Sequence, residues 1–193
     1  MIEVALRHRI RYVRYMASYF AFGSNICVPH FRGYLVHHGI DPVEARNPRR
    51  AILAGYRLRT NYRSVVHEAG AANIEPALGH AVEGVVIEIT DSIRQALRRK
   101  EGWPVRYREI EVEVKIVDTD EIVDALTYIV TPEYRLPFDL PVTQRYRDLI
   151  LEGAARFHFR QTYQRRLRRI LRPLDAEGLV YHARCRTLDR SEP

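Results

Sequence analysis

The chain holds 193 residues, 46% hydrophobic and 28% charged, the balance of one globular domain long enough to bury a core. No apolar run approaches the roughly 18 residues of a membrane-spanning helix. Its net charge of +7 is uneven: residues 1–15 hold four Arg and one Glu, residues 156–190 hold ten Arg against three acids, and the stretch between is nearly neutral. That distribution argues against a fold whose whole surface binds nucleic acid.

Residues 1–15 lack a long apolar stretch and a small-residue cleavage site, so they do not read as a secretory signal. They read as a poorly ordered basic extension or a mis-chosen start, with an organelle presequence as the alternative. A domain over 16–173 and a tail over 174–193 are expected to follow. Within the domain, the strand-forming run Tyr19-Phe20-Ala21-Phe22 meets Gly23-Ser24-Asn25, where a strand has to break. Gly23 can take a positive φ without a Cβ clash, and Asn25 tolerates one. Such a turn can leave consecutive N–H groups in one concavity, a nest for an anion or a carbonyl oxygen.

A short helix over 31–38 is expected next, ended by Gly39. His37 and His38 are adjacent and cannot face one site together on that helix. No third ligand is near, so no metal is expected. Cys27 and Cys185 make neither a metal spacing nor a disulfide framework, which fits a reduced, cytosolic compartment. Strands over 51–58, 70–76 and 82–89 follow, with Gly84 marking a bulge or a close backbone approach.

Thr90 or Asp91 opens a helix whose Ile93, Ala96 and Leu97 share a face and which runs to Lys100. Gly102 and Pro104 stop it. Glu101 lies at that stop, beside Trp103, a ring able to shield it from water. Then Ile110, Val112, Val114 and Ile116 alternate with Glu109, Glu111, Glu113 and Lys115, a half-buried strand with its acids in water. One more strand spans 122–130, and Pro132, Pro137 and Pro141 break the loop after it.

The spacing of Tyr146, Leu149, Ile150, Ala154 and Phe157 predicts an amphipathic helix over 142–157. A second helical piece over 161–171 puts Arg165, Arg168, Arg169 and Arg172 on one face, with Tyr163, Leu167, Ile170 and Leu171 opposite. Strands, a helix, more strands and terminal helices, without βαβ alternation, define an α+β domain around a small mixed sheet closed into a barrel.

Four stretches carry a resemblance. They are Tyr19–Asn25; Glu83-Gly84-Val85-Val86; Glu101-Gly102 followed by Tyr107; and Tyr128 with the helix over Tyr146–Gly153. Taken in order they span about residues 17–170 and resemble the gamma-glutamylcyclotransferase family, of AIG2-like fold. The resemblance implies a mixed β-barrel with peripheral helices and a cytoplasmic enzyme that needs no cofactor. Its small-molecule γ-glutamyl substrate would be cyclised to 5-oxoproline with release of an amine or amino acid. Ring closure is intramolecular, so holding the right rotamer supplies much of the rate.

By the same resemblance Glu101 is the general acid and base. Tyr19, Phe20, Ala21, Phe22, Gly23, Ser24 and Asn25 form the substrate cradle, and Tyr107, Tyr128 and Tyr146 stand by the pocket. Phe22 occupies a place where many relatives carry Tyr, which removes one hydroxyl. The Gly-Tyr-Gly-Ser pattern of the glutathione-specific branch is absent, which argues against glutathione. The rival reading is an inactive fold relative that binds an acidic partner or nucleic acid through its Arg-rich C-terminal helix. Sparse aromatic interleaving disfavours nucleic acid. A homodimer is left open.

Overall fold

The computed structural model describes residues 16–66 and 68–174; the expected basic extension, the tail beyond 174 and Cys185 lie outside them. Five strands form one closed barrel in the order β1-β3-β2-β4-β5. They are β1 (Met16–Ala21), β2 (Arg46–Ser64), β3 (Ala69–Thr90), β4 (Tyr107–Ile116) and β5 (Ile122–Val130). β1 runs antiparallel to β3, with Tyr19 opposite Ile87. A parallel contact between Tyr19 and Leu126 of β5 closes the cylinder. Four helices pack outside it: α1 (Val28–His37), α2 (Asp91–Glu101), α3 (Gln144–Arg156) and α4 (Gln161–Ile170).

The alternation read from β4 holds on its apolar side, where Val112, Val114 and Ile116 are buried. Glu109 corrects the other side. It faces α2 rather than water, accepting hydrogen bonds from Arg94, Arg98 and, at 2.8 Å, the Tyr128 hydroxyl opposite it on β5. Glu111 and Glu113 are exposed as expected.

β2 and β3 also differ from expectation. The predicted pieces over 70–76 and 82–89 are one long strand, because the break between them is absorbed as an irregularity in the ladder. Ala54 pairs with Ala81 and Tyr56 with Pro76, so residues 77–80 stand outside the pairing and Leu78 is left exposed. Pro76 lacks the N–H a regular ladder would use, and the unpaired residues give it room.

Gly84 is the close approach that the sequence suggested. A Cβ there would stand 2.4 Å from the Ala21 carbonyl oxygen and 2.5 Å from the Phe20 ring. α1 begins earlier than expected, at Val28, because Pro29 suits a first helical turn. α4 docks by its first residues. The buried Glu83 carboxylate accepts from Arg50 Nη2 at 2.8 Å, from the Arg160 backbone N–H at 3.1 Å and from Arg160 Nε at 2.6 Å. Tyr163, Leu167 and Leu171 are buried beneath it, the apolar face expected of this helix.

Candidate active site

Gly23 does not take the positive φ that its position suggested. Its φ is −100°, and Ser24–Ile26 form a single turn of 3-10 helix. The glycine is needed for space instead, since a Cβ there would lie 3.1 Å from the Tyr146 hydroxyl. The first N–H groups of a helical turn have no acceptor within it. Here the Ser24 N–H meets the Tyr146 hydroxyl, which also accepts the Ala72 N–H at 3.1 Å. α3 fixes this turn from behind: a Cβ at Gly153 would stand 2.5 Å from Ile26 Cγ1 and 2.8 Å from the Cys27 backbone nitrogen.

In front of the turn is a cavity of about 770 Å³. Tyr19, Phe22, Gly23, Ser24, Asn25, Glu101, Tyr107, Tyr128 and Tyr146 all line it. Phe20 and Ala21 do not; both are fully buried in the core. Lys100, Tyr34, Tyr62 and Ala72 line it too, and the sequence reading singled out none of them. Tyr62 lies beyond the predicted end of its strand, and a lysine in a last helical turn reads as a solvated partner of the helix dipole.

Glu101 enters from the C-terminal turn of α2, which Gly102 closes in the left-handed conformation. Burial raises its carboxyl above the ordinary carboxylate range, and the neighbouring Lys100 ammonium pulls it part of the way back. Trp103 does not provide that burial. It is 42% exposed and stacks under the Arg98 guanidinium, 4.5 Å away. The cavity tyrosines do. The hydroxyls of Tyr19, Tyr34, Tyr62, Tyr107, Tyr128 and Tyr146 are all raised, first by burial and further by the negative charge of Glu101. Glu101 and these six tyrosines line the same cavity.

A polar chain ties this acid's neighbour to the turn. Lys100 Nζ donates to Asn25 Oδ1, and Asn25 Nδ2 donates to the Tyr19 hydroxyl at 2.9 Å. The Lys100 ammonium also lies 4.9 Å from the centre of the Tyr34 ring. Burial lowers its pKa while Glu101 raises it. Tyr107 donates to the Ala72 carbonyl at 3.2 Å and Tyr34 to the Ala96 carbonyl at 3.1 Å, so these rings are held in place.

Among the described residues no three His, Cys, Asp or Glu side chains converge to hold a metal, and His37 and His38 are exposed. No helix among them is long and apolar enough to cross a membrane. In the basic stretch of the C-terminus, Arg160 is committed to Glu83, while Arg165, Arg168, Arg169 and Arg172 are exposed.

A closed five-stranded barrel, with a half-buried carboxyl lining the same cavity as a tight turn after the first strand, defines a class. Residues 19–154 match the family described as Gamma-glutamyl cyclotransferase, AIG2-like, and the chain belongs to that family. The family and the barrel expected from the sequence are thus both present.

Among solved structures the chain is similar to a human protein described as uncharacterized protein loc79017. The two are 27% identical with a TM-score of 0.68, over 83% of this chain and 90% of that one. A structure described as a gamma-glutamyl cyclotransferase shares the fold at 21% identity and a TM-score of 0.67, over 88% of this chain and 99% of that one. YkqA from Bacillus subtilis is 25% identical with a TM-score of 0.68, and the match covers 81% of this chain but 54% of YkqA. None of the curated proteins matches the sequence.

Proposed function

We propose that this chain cyclises the γ-glutamyl group of a γ-glutamyl amino acid or γ-glutamyl amine to 5-oxoproline, with Glu101 moving the protons. The observation that carries the reading is the place of Glu101: it lines the same cavity as six tyrosines and the Gly23–Asn25 turn.

The nucleophile and the electrophile sit in one substrate, so the protein's first task is to hold a folded rotamer. The α-ammonium gives a proton to the Glu101 carboxylate, and the freed amine attacks the γ-carbonyl carbon. A C–N bond forms and negative charge develops on the γ-oxygen, which donors of the Gly23–Asn25 turn other than the committed Ser24 N–H stabilise without reorganising. The γ-carbon to amide-nitrogen bond then breaks as the Glu101 carboxylic acid returns its proton to the departing nitrogen. The regenerated carboxylate takes the second proton from the ring nitrogen, leaving the lactam N–H, and passes it to the released amine, which departs as an ammonium. The products are 5-oxoproline and a free amine, and Glu101 is a carboxylate again. An acid whose pKa is raised by burial suits both transfers, because it neither holds nor releases the proton too strongly.

The test is incubation with γ-glutamyl dipeptides and chromatographic detection of 5-oxoproline. Glu101→Gln keeps the volume and removes the base, and its rate should fall by about 10²–10⁴. Equal turnover by this variant would overturn the assignment of Glu101.

A further inference from the structure

The mouth of the cavity carries more positive charge than the reaction above consumes. Arg99, Lys100, Arg106 and Arg145 line the cavity, and among the described residues Glu101 is the single carboxylate lining it. Elsewhere on the barrel, half-buried arginines are matched to acids: Arg50 to Glu83, Arg59 to Glu75 and Asp139, Arg94 and Arg98 to Glu109. Among the described residues none of the four cavity cations makes such a pair. Lys100 touches an amide oxygen and an aromatic face and feels the charge of Glu101 without forming an ion pair with it, which leaves the three arginines as the surplus. Like charges gathered around one hollow repel each other and concentrate anions from solution.

A γ-glutamyl group brings one carboxylate of its own, and its ammonium is discharged onto Glu101. One cation is thereby matched, and the others face whatever departs. Arg99 and Arg145 are exposed and Arg106 half-buried, so the surplus lies toward solvent, outward of Glu101. A cavity of about 770 Å³ has room for both halves of a dipeptide-sized ligand.

We infer that the leaving half is itself anionic. The preferred substrates are γ-glutamyl conjugates of acidic amino acids, whose leaving half carries two carboxylates, and γ-glutamyl amines are the poorest. This rests on the γ-glutamyl reading above and deepens it. Arg99, Arg106 and Arg145 bind the departing amino acid, whereas Glu101 and the Gly23–Asn25 turn handle the reacting atoms.

The experiment compares three compounds: γ-glutamyl-glutamate, γ-glutamyl-alanine and γ-glutamyl-ethylamide, with two, one and no carboxylates on the leaving half. kcat/KM should fall roughly tenfold with each carboxylate removed, and the gaps should narrow when ionic strength is raised. Arg145→Gln and Arg99→Gln, both at exposed positions, should each narrow the gap between the diacid and the amide, with melting curves checking the fold. Calorimetric titration of the same three compounds into Glu101→Gln reads binding apart from turnover.

Turnover of all three with equal or reversed kcat/KM would overturn the anionic leaving group and leave the cyclotransferase reading standing. No 5-oxoproline from any compound, with binding still ordered by charge, would overturn the cyclotransferase reading and keep the anion site. No turnover and no charge order in binding would remove both.

Discussion

Gly153→Ala tests the packing that sets the position of the candidate oxyanion turn. In a solvated helix interior, Gly to Ala stabilises by about 1 kcal/mol. At residue 153 the new methyl would meet Ile26 Cγ1 at 2.5 Å, the Ile26 carbonyl carbon at 2.7 Å and the Cys27 nitrogen at 2.8 Å. Two of these three atoms are backbone, so no rotamer change relieves them, and the turn must back away from α3. Overpacking of this kind costs about 1–3 kcal/mol, which outweighs the gain in helix propensity. The net expectation is a loss of up to about 2 kcal/mol, read as a fall of a few degrees in Tm for a domain of this size. Activity should fall further than stability, because a shift near 1 Å at a reacting site can cost about 10²-fold. Thermal unfolding by circular dichroism and the 5-oxoproline assay read the two effects separately. A rise in Tm would refute the reasoning, since it would mean that propensity alone decides and the close approach does not exist.

Lys100→Gln removes the ammonium that lowers the pKa of Glu101. The acid limb of kcat/KM, set by the base form of Glu101, should then move to higher pH, and an unmoved limb would show that Lys100 does not tune the acid. Glu109 behaves oppositely in stability. Burial pushes its carboxyl up, but hydrogen bonds from Arg94, Arg98 and Tyr128 outweigh that and hold it at about 2. A depressed carboxyl contributes stability above its unfolded pKa of about 4.3 and loses it as pH falls toward 2. Glu109→Gln should therefore be destabilising at neutral pH and close to neutral in effect near pH 2, as denaturant melts across that range would show.

What was legible in the sequence was local. The alternation over 107–116 and the cap at Gly102 placed β4 and the end of α2 correctly, and with them Glu101 at a helix stop. Glu109 was misread because a period of two says which face a residue is on but not what covers that face. Here α2 covers it with Arg94 and Arg98. Tyr62 reaches the cavity because β2 continues past residue 58, where the predicted strand ended, to Ser64. Lys100 was invisible for a different reason: its role depends on Asn25, 75 residues away in the chain.

Tyr19 sits where the two ends of the barrel meet, opposite Leu126, and the Thr127 hydroxyl bonds the Phe20 carbonyl across 107 residues of sequence. The same Tyr19 ring is part of the wall around Glu101. That seam joins strands about a hundred residues apart in the sequence, so closing the cylinder and building the pocket wall engage the same ring. Loosening the rung between Tyr19 and Leu126 would therefore disturb the wall of the cavity that Glu101 lines together with the closure of the barrel.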